Sequence, residues 1–125
     1  MTCTEDFINA YIEAALWYSV DYESGDRLDN LDIELDAVSR KKMADDCHKF
    51  IAYMYDHDLT DSCLTRYSVW EQAGHDFWLT RNGHGAGFWE TSDWEESAGE
   101  LLTAFSHVFP ECHLFVDDDK VICCE

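Results

Sequence analysis

His75, Asp76, Arg81 and His84 lie within ten residues of one another and carry the side chains best able to do chemistry in this chain. An imidazole beside a carboxylate is the pairing that general acid–base catalysis uses, and a nearby guanidinium would hold an anionic group. Nucleophilic catalysis would add a cysteine or serine activated by one of the histidines. What these residues can do together depends on the backbone beneath them.

Asn82-Gly83 sits between strand-forming residues, and an Asn-Gly pair tolerates the positive φ that a type I′ turn needs at both central positions. The spacing therefore predicts a hairpin over residues 75–89. It pairs Arg81 with His84, Thr80 with Gly85, Leu79 with Ala86, Trp78 with Gly87 and Phe77 with Phe88. Trp78 would cover the bare backbone of Gly87, and Phe77, Leu79 and Phe88 would face inward. In such a ribbon His75 and Asp76 stand at the open end, roughly 16 Å from Arg81 and His84 at the turn. Neighbouring strand residues also point to opposite faces, so His75 and Asp76 form no relay with each other, and no catalytic residue is assigned. His75, Asp76, Arg81 and His84 remain as the lining of an alternative ligand pocket beside the hairpin. Arg81 reads as the structural partner of an acid such as Asp76 or Glu90.

The glycine-rich run Asn82-Gly83-His84-Gly85-Ala86-Gly87 lacks the Lys-Ser/Thr ending of a phosphate loop and the spacing of a dinucleotide fingerprint. Asp21-x-Glu23-x-x-Asp26 has its glycine misplaced for a calcium loop. Six cysteines are present, but Cys123 and Cys124 are adjacent and no C-x-x-C occurs. They read as reduced thiols, several of them buried. A zinc site drawn from Cys47, His48, His57, Cys63, Cys112 and His113 lacks paired ligand spacing. Neither metal nor cofactor is expected.

Twenty-seven acidic residues against eight basic ones give a formal charge of −19, which repels nucleic acid and anionic membranes and suits a basic protein surface. The acids concentrate at Asp21, Glu23, Asp26, Asp29, Asp32, Glu34 and Asp36, the candidate binding face. No apolar run approaches membrane-spanning length and the N-terminus has no signal-peptide pattern, so a cytoplasmic protein is expected.

Residues 1–125 read as one domain. Phe7, Ile8, Tyr11, Ile12, Ala15 and Leu16 predict a first helix from a Thr4 cap to about Ser19, with Trp17 and Tyr18 half exposed at its edge. Residues 21–36 read as a short helix or packed loop around Leu28, Leu31 and Leu35. A second helix is predicted over 36–55, burying Val38, Met43, Cys47, Phe50, Ile51 and Met54, while Arg40, Lys41 and Lys42 pair with Asp36, Asp45 and Asp46. A short third helix is predicted near 61–70. Ser92-x-x-Glu95 or Ser97-x-x-Glu100 would cap a later helix carrying Leu101, Ala104, Phe105, Val108 and Phe109 and stopped by Pro110. Residues 113–116 and 121–124 predict a second hairpin around an acidic turn. The fold class is α+β: N-terminal helices, then two β-hairpins forming a small antiparallel sheet, with a helix between them.

Glu71-Gln72-Ala73-Gly74-His75 through Phe88-Trp89-Glu90 resembles the signature of a family of small, acidic, uncharacterised proteins encoded by bacteriophages and prophages. The likeness extends to Ala15-Leu16-Trp17 with Ser19, Leu28-Asp29, Asp46-Cys47 with Phe50, and Val116-Asp117-Asp118-Asp119-Lys120-Val121. The chain departs from it at Thr91-Ser92-Asp93-Trp94, where relatives carry an arginine and a Gly-rich linker. The resemblance implies a phage origin and action in the host cytoplasm, and it brings no catalytic residues. With the charge, it leads to the expectation of an accessory protein that binds a basic host or phage protein. Its target would be a nucleic-acid-binding or defence enzyme, blocked in the manner of a DNA mimic. The alternatives are a small enzyme or ligand-binding domain beside the hairpin, and an oligomerising protein with an exposed aromatic patch around Trp70, Trp89 and Trp94.

Overall fold

The computed structural model of the chain describes residues 3–21, 24–31, 33–65, 68–83, 87–90, 92–117 and 120–124. Helix α1 (Cys3–Trp17) turns Phe7, Tyr11, Ile12, Ala14 and Ala15 inward, as the apolar period requires. It already contains Thr4 in its first turn, so Thr4 is no cap. Trp17 and Tyr18 are half exposed, as expected. Beyond it the acidic segment is a packed loop: a bridge between Val20 and Arg27, a 3₁₀ turn at Leu28–Asn30, and strand β1 (Glu34–Leu35). Helix α2 (Ala37–Asp56) starts at Asp36, whose carboxylate accepts the backbone N–H groups of Val38 and Ser39. Its buried side holds Met43, Cys47, Phe50, Ile51 and Met54, while Val38 is exposed.

Residues 75–81 are helical, which overturns the hairpin around Asn82-Gly83. Helix α3 (Val69–Arg81) is capped by the Ser68 hydroxyl and ends at Asn82. The positive φ that the Asn-Gly pair supplies is used at Gly83 (φ 71°), just past the helix end, where a left-handed residue terminates a helix as readily as it makes a turn. The period fails as a guide because Asp76, Phe77, Trp78, Leu79, Thr80 and Arg81 are all buried. A helix covered on every side has no polar stripe, and its sequence reads like a buried strand. Gly87 is faced by the Thr80 hydroxyl and the Trp89 ring, not by Trp78, which stacks on Tyr18.

The short helix predicted near 61–70 is also absent from the described residues of that segment, of which only Val69 and Trp70 are helical, as the start of α3. Residues 62–64 bridge to 93–95, with the N–H of Leu64 donating to Asp93 O (2.7 Å) and that of Glu95 to Ser62 O (3.0 Å). This bridge, with Trp94 buried beside it, fixes the entry to helix α4 (Glu96–Ser106), which has no side-chain cap at Glu95. Neither Ser-x-x-Glu pattern forms the predicted capping box. The buried face of α4 is Ala98, Gly99, Leu102 and Ser106, whereas Leu101 and Val108 are exposed.

The second predicted hairpin is present. Strands β2 (His113–Asp117) and β3 (Lys120–Cys124) run antiparallel, with Leu114 opposite Cys123 and Val116 opposite Val121. In place of a first hairpin, β1 pairs with β3 in parallel, Leu35 opposite Val121, giving the order β1-β3-β2. Among the described residues the fold is thus α+β, with four α-helices and one small mixed sheet. Cys112 and Cys123 are joined by a disulfide (S–S 2.13 Å), correcting the expectation of reduced thiols, whereas Cys3, Cys47 and Cys63 are free. The pairing depends on the hairpin register, which no cysteine spacing reveals. One apolar cluster runs from Phe7 to Cys123, and at its centre Phe50 stacks on Phe77 (4.3 Å between ring centres) and on Phe88 (5.4 Å). Among the described residues no helix is long and apolar enough to cross a membrane.

Candidate functional site

Helix α3 carries three of the four chemically promising residues, and it separates them by role. Arg81, in its last turn, has a fully buried side chain. Its Nη1 donates to the Tyr11 hydroxyl (2.9 Å) and to Asp46 Oδ2 (3.0 Å), while Nε and Nη2 both donate to the carbonyl of Pro110 (3.0 and 2.7 Å). Burial works against the guanidinium charge, but Tyr11 and Asp46 outweigh it and hold the group above its ordinary pKa. Burial likewise pushes the Tyr11 phenol far up, and the Cys47 thiol beside it up as well. Arg81 is therefore structural, as its sequence suggested, with Asp46 as its acid and not Asp76 or Glu90. Lys41 pairs with Asp45 as expected, leaving Asp46 to the arginine.

Asp76 is buried, and three donors surround it. Its Oδ2 accepts from Trp94 Nε1 (2.8 Å) and Gln72 Nε2 (2.9 Å), and its Oδ1 lies 3.0 Å from His75 Nδ1. The helix thus joins the adjacent pair that a strand would have parted. A carboxylate acceptor places the imidazole proton on Nδ1 and leaves Nε2 as an acceptor. His75 itself is half exposed, with the Tyr18 ring edge-on at 6.0 Å. His84 lies outside the described residues.

His75 opens onto a groove of about 460 Å³ between α1 and α3. Glu13 and Trp17 stand one turn apart on α1, Glu71 and His75 one turn apart on α3, and Tyr18 and Gln72 complete the walls. Ala10 and Ala14 add small apolar side chains to its lining. Against one of these walls, the Arg27 guanidinium lies 3.7 Å from the centre of the Trp17 ring, and its Nε meets Asp29 at 3.2 Å.

The acidic loop does not act as one uniform face. Asp21 accepts a hydrogen bond from Ser24, Asp29 pairs with Arg27, and Asp36 caps α2. Asp26 and Glu34 are exposed, the latter 3.6 Å from Lys120 Nζ; Glu23 and Asp32 lie outside the described residues. The predicted tryptophan patch does not form: Trp70 and Trp94 are buried, and Trp89 alone of the three is exposed. Among the described residues no three His, Cys, Asp or Glu side chains converge as metal ligands.

Tyr11, Asp46, Gln72 and Trp94 escape a reading of the sequence because each acts on a partner distant in the chain or on a helix face that the hairpin misplaces. The Glu13/Trp17 and Glu71/His75 spacings are the signal from which the groove was recoverable. No protein-family model, curated protein or solved structure matches the chain.

Proposed function

We propose that the protein works by contact: it binds a basic surface on a partner protein and competes there with nucleic acid, as a phage accessory factor acting in the host cytoplasm on a nucleic-acid-binding or defence enzyme. One observation carries the reading. The formal charge is −19, and four of the eight lysines and arginines are paired with acids within the fold, Arg81 with Asp46 in the interior and Arg27, Lys41 and Lys120 with acids at the surface. The outward field is accordingly negative, which steers a basic partner toward the molecule and repels nucleic acid.

The test uses immobilised protein and a bacterial extract. The comparator is the triple substitution Asp26→Asn, Asp29→Asn and Glu34→Gln, which leaves the Asp36 cap intact. Wild type should retain a nucleic-acid-binding protein that salt releases and that added DNA displaces, and the triple variant should retain less. Equal retention by both forms removes the reading.

A second reading, a small enzyme or ligand-binding domain, is supported by the His75–Asp76 hydrogen bond at the groove, where Nε2 has the form of a general base. Hydrolysis of p-nitrophenyl acetate above the buffer rate, abolished in His75→Gln, would favour it. Equal rates in the two forms would remove it.

A further inference from the structure

The acidic surface says that a partner is basic; the α1–α3 groove says which part of it is gripped. We propose that this groove receives a single arginine side chain from the partner. The inference rests on the contact reading above and makes it local. Each wall repeats one device, a carboxylate one helical turn from a ring: Glu13 before Trp17 and Glu71 before His75, with Tyr18 also in the lining. Among the described residues neither Glu13 nor Glu71 has an ion-pair or hydrogen-bond partner, and no lysine or arginine lines the groove. Two carboxylates and flat aromatic surfaces are the complement of a guanidinium, which takes carboxylates through its planar fork and stacks on rings. An ammonium offers neither the fork nor the plane. The chain makes the same recognition internally on a ring of the groove itself, where Arg27 lies over Trp17 and meets Asp29. At about 460 Å³ the groove has room for one long side chain, and Ala10 and Ala14 give its methylenes an apolar lining while the charge stays with the acids.

The experiment titrates the intact protein with a short peptide bearing one arginine between glycines, in about 150 mM salt to suppress long-range attraction. Binding is followed by NMR at the Trp17 indole N–H and the His75 ring. The arginine peptide should shift both signals, its lysine counterpart should bind more weakly, and its citrulline counterpart should shift neither. Glu13→Gln with Glu71→Gln should weaken the arginine peptide by about tenfold, while Glu96→Gln with Glu100→Gln on α4 leaves it unchanged. Both carboxylate pairs are exposed, so an unaltered circular dichroism spectrum is expected for each variant. Signals that stay still, or equal response to citrulline, overturn the groove. If extract retention still falls in the acidic-loop variant, the contact reading survives that failure; if retention does not fall either, both are lost.

Discussion

Arg81 meets three separated parts of the chain at once: Tyr11 on α1, Asp46 on α2 and the carbonyl of Pro110 beyond α4. Removing one partner of a buried charge pair leaves the other unsatisfied, at a cost of about 3–5 kcal/mol, well above the loss at a surface pair. Arg81→Met is expected to lie in that range and Asp46→Asn near its lower end, measured by urea unfolding. Arg81→Lys should rescue little, because an ammonium cannot span both acceptors. The Tyr11 phenol, raised above its ordinary 10.0, links the same cluster to alkaline pH. A raised pKa in the folded state contributes stability that is full below the unfolded value and is lost as pH rises through the folded one. Urea midpoints should therefore fall above about pH 10. The fall should be shallower in Tyr11→Phe, even though that variant starts lower by about 1 kcal/mol for the missing hydrogen bond. The structural character of Arg81 was readable from its scarcity in an acidic chain. Its acid was not, because no local pattern links positions 46 and 81.

Helix α3 crosses α1 closely enough that a Cβ on Gly74 would overlap the backbone carbonyl of Phe7. Alanine favours an isolated helix by about 1 kcal/mol over glycine, but the contact reverses the sign here. Gly74→Ala is expected to destabilise by about 1–3 kcal/mol, read as a lower midpoint in thermal or urea unfolding. A neutral or stabilising result would mean that α1 can move away. The same element shows where legibility ends. α1 and α2 each present one wet face and one dry face, and their periods reveal them. α3 is dry on nearly all sides past Gly74, so Phe77-Trp78-Leu79 carries no period, and Asn82-Gly83 suits a hairpin turn and a helix terminus equally. The β2–β3 hairpin was readable because Asp117 to Lys120 interrupts two apolar runs. The parallel partner β1 was not, since two residues carry no alternation.

A formal charge of −19 on 125 residues sets the behaviour of the whole molecule. Like charges repel across the compact surface, and salt screens them over about 8 Å at physiological strength. The melting temperature is therefore expected to rise by about 3–6 °C between low and half-molar salt, the shift that about 1 kcal/mol produces in a domain of this size. A fall with salt would mean that the Arg27, Lys41 and Lys120 pairs outweigh the repulsion. Reducing Cys112–Cys123 opens a short loop at the sheet and should cost about 2–3 kcal/mol, measured by unfolding with and without reductant. The strand order has a consequence for how the protein is made. β3 is the last of these three strands to be synthesised and yet lies between the other two, so β1 leaves the ribosome long before its neighbour exists. Translation halted before Lys120 would release a polypeptide with two orphaned strand edges, prone to aggregate and to be degraded.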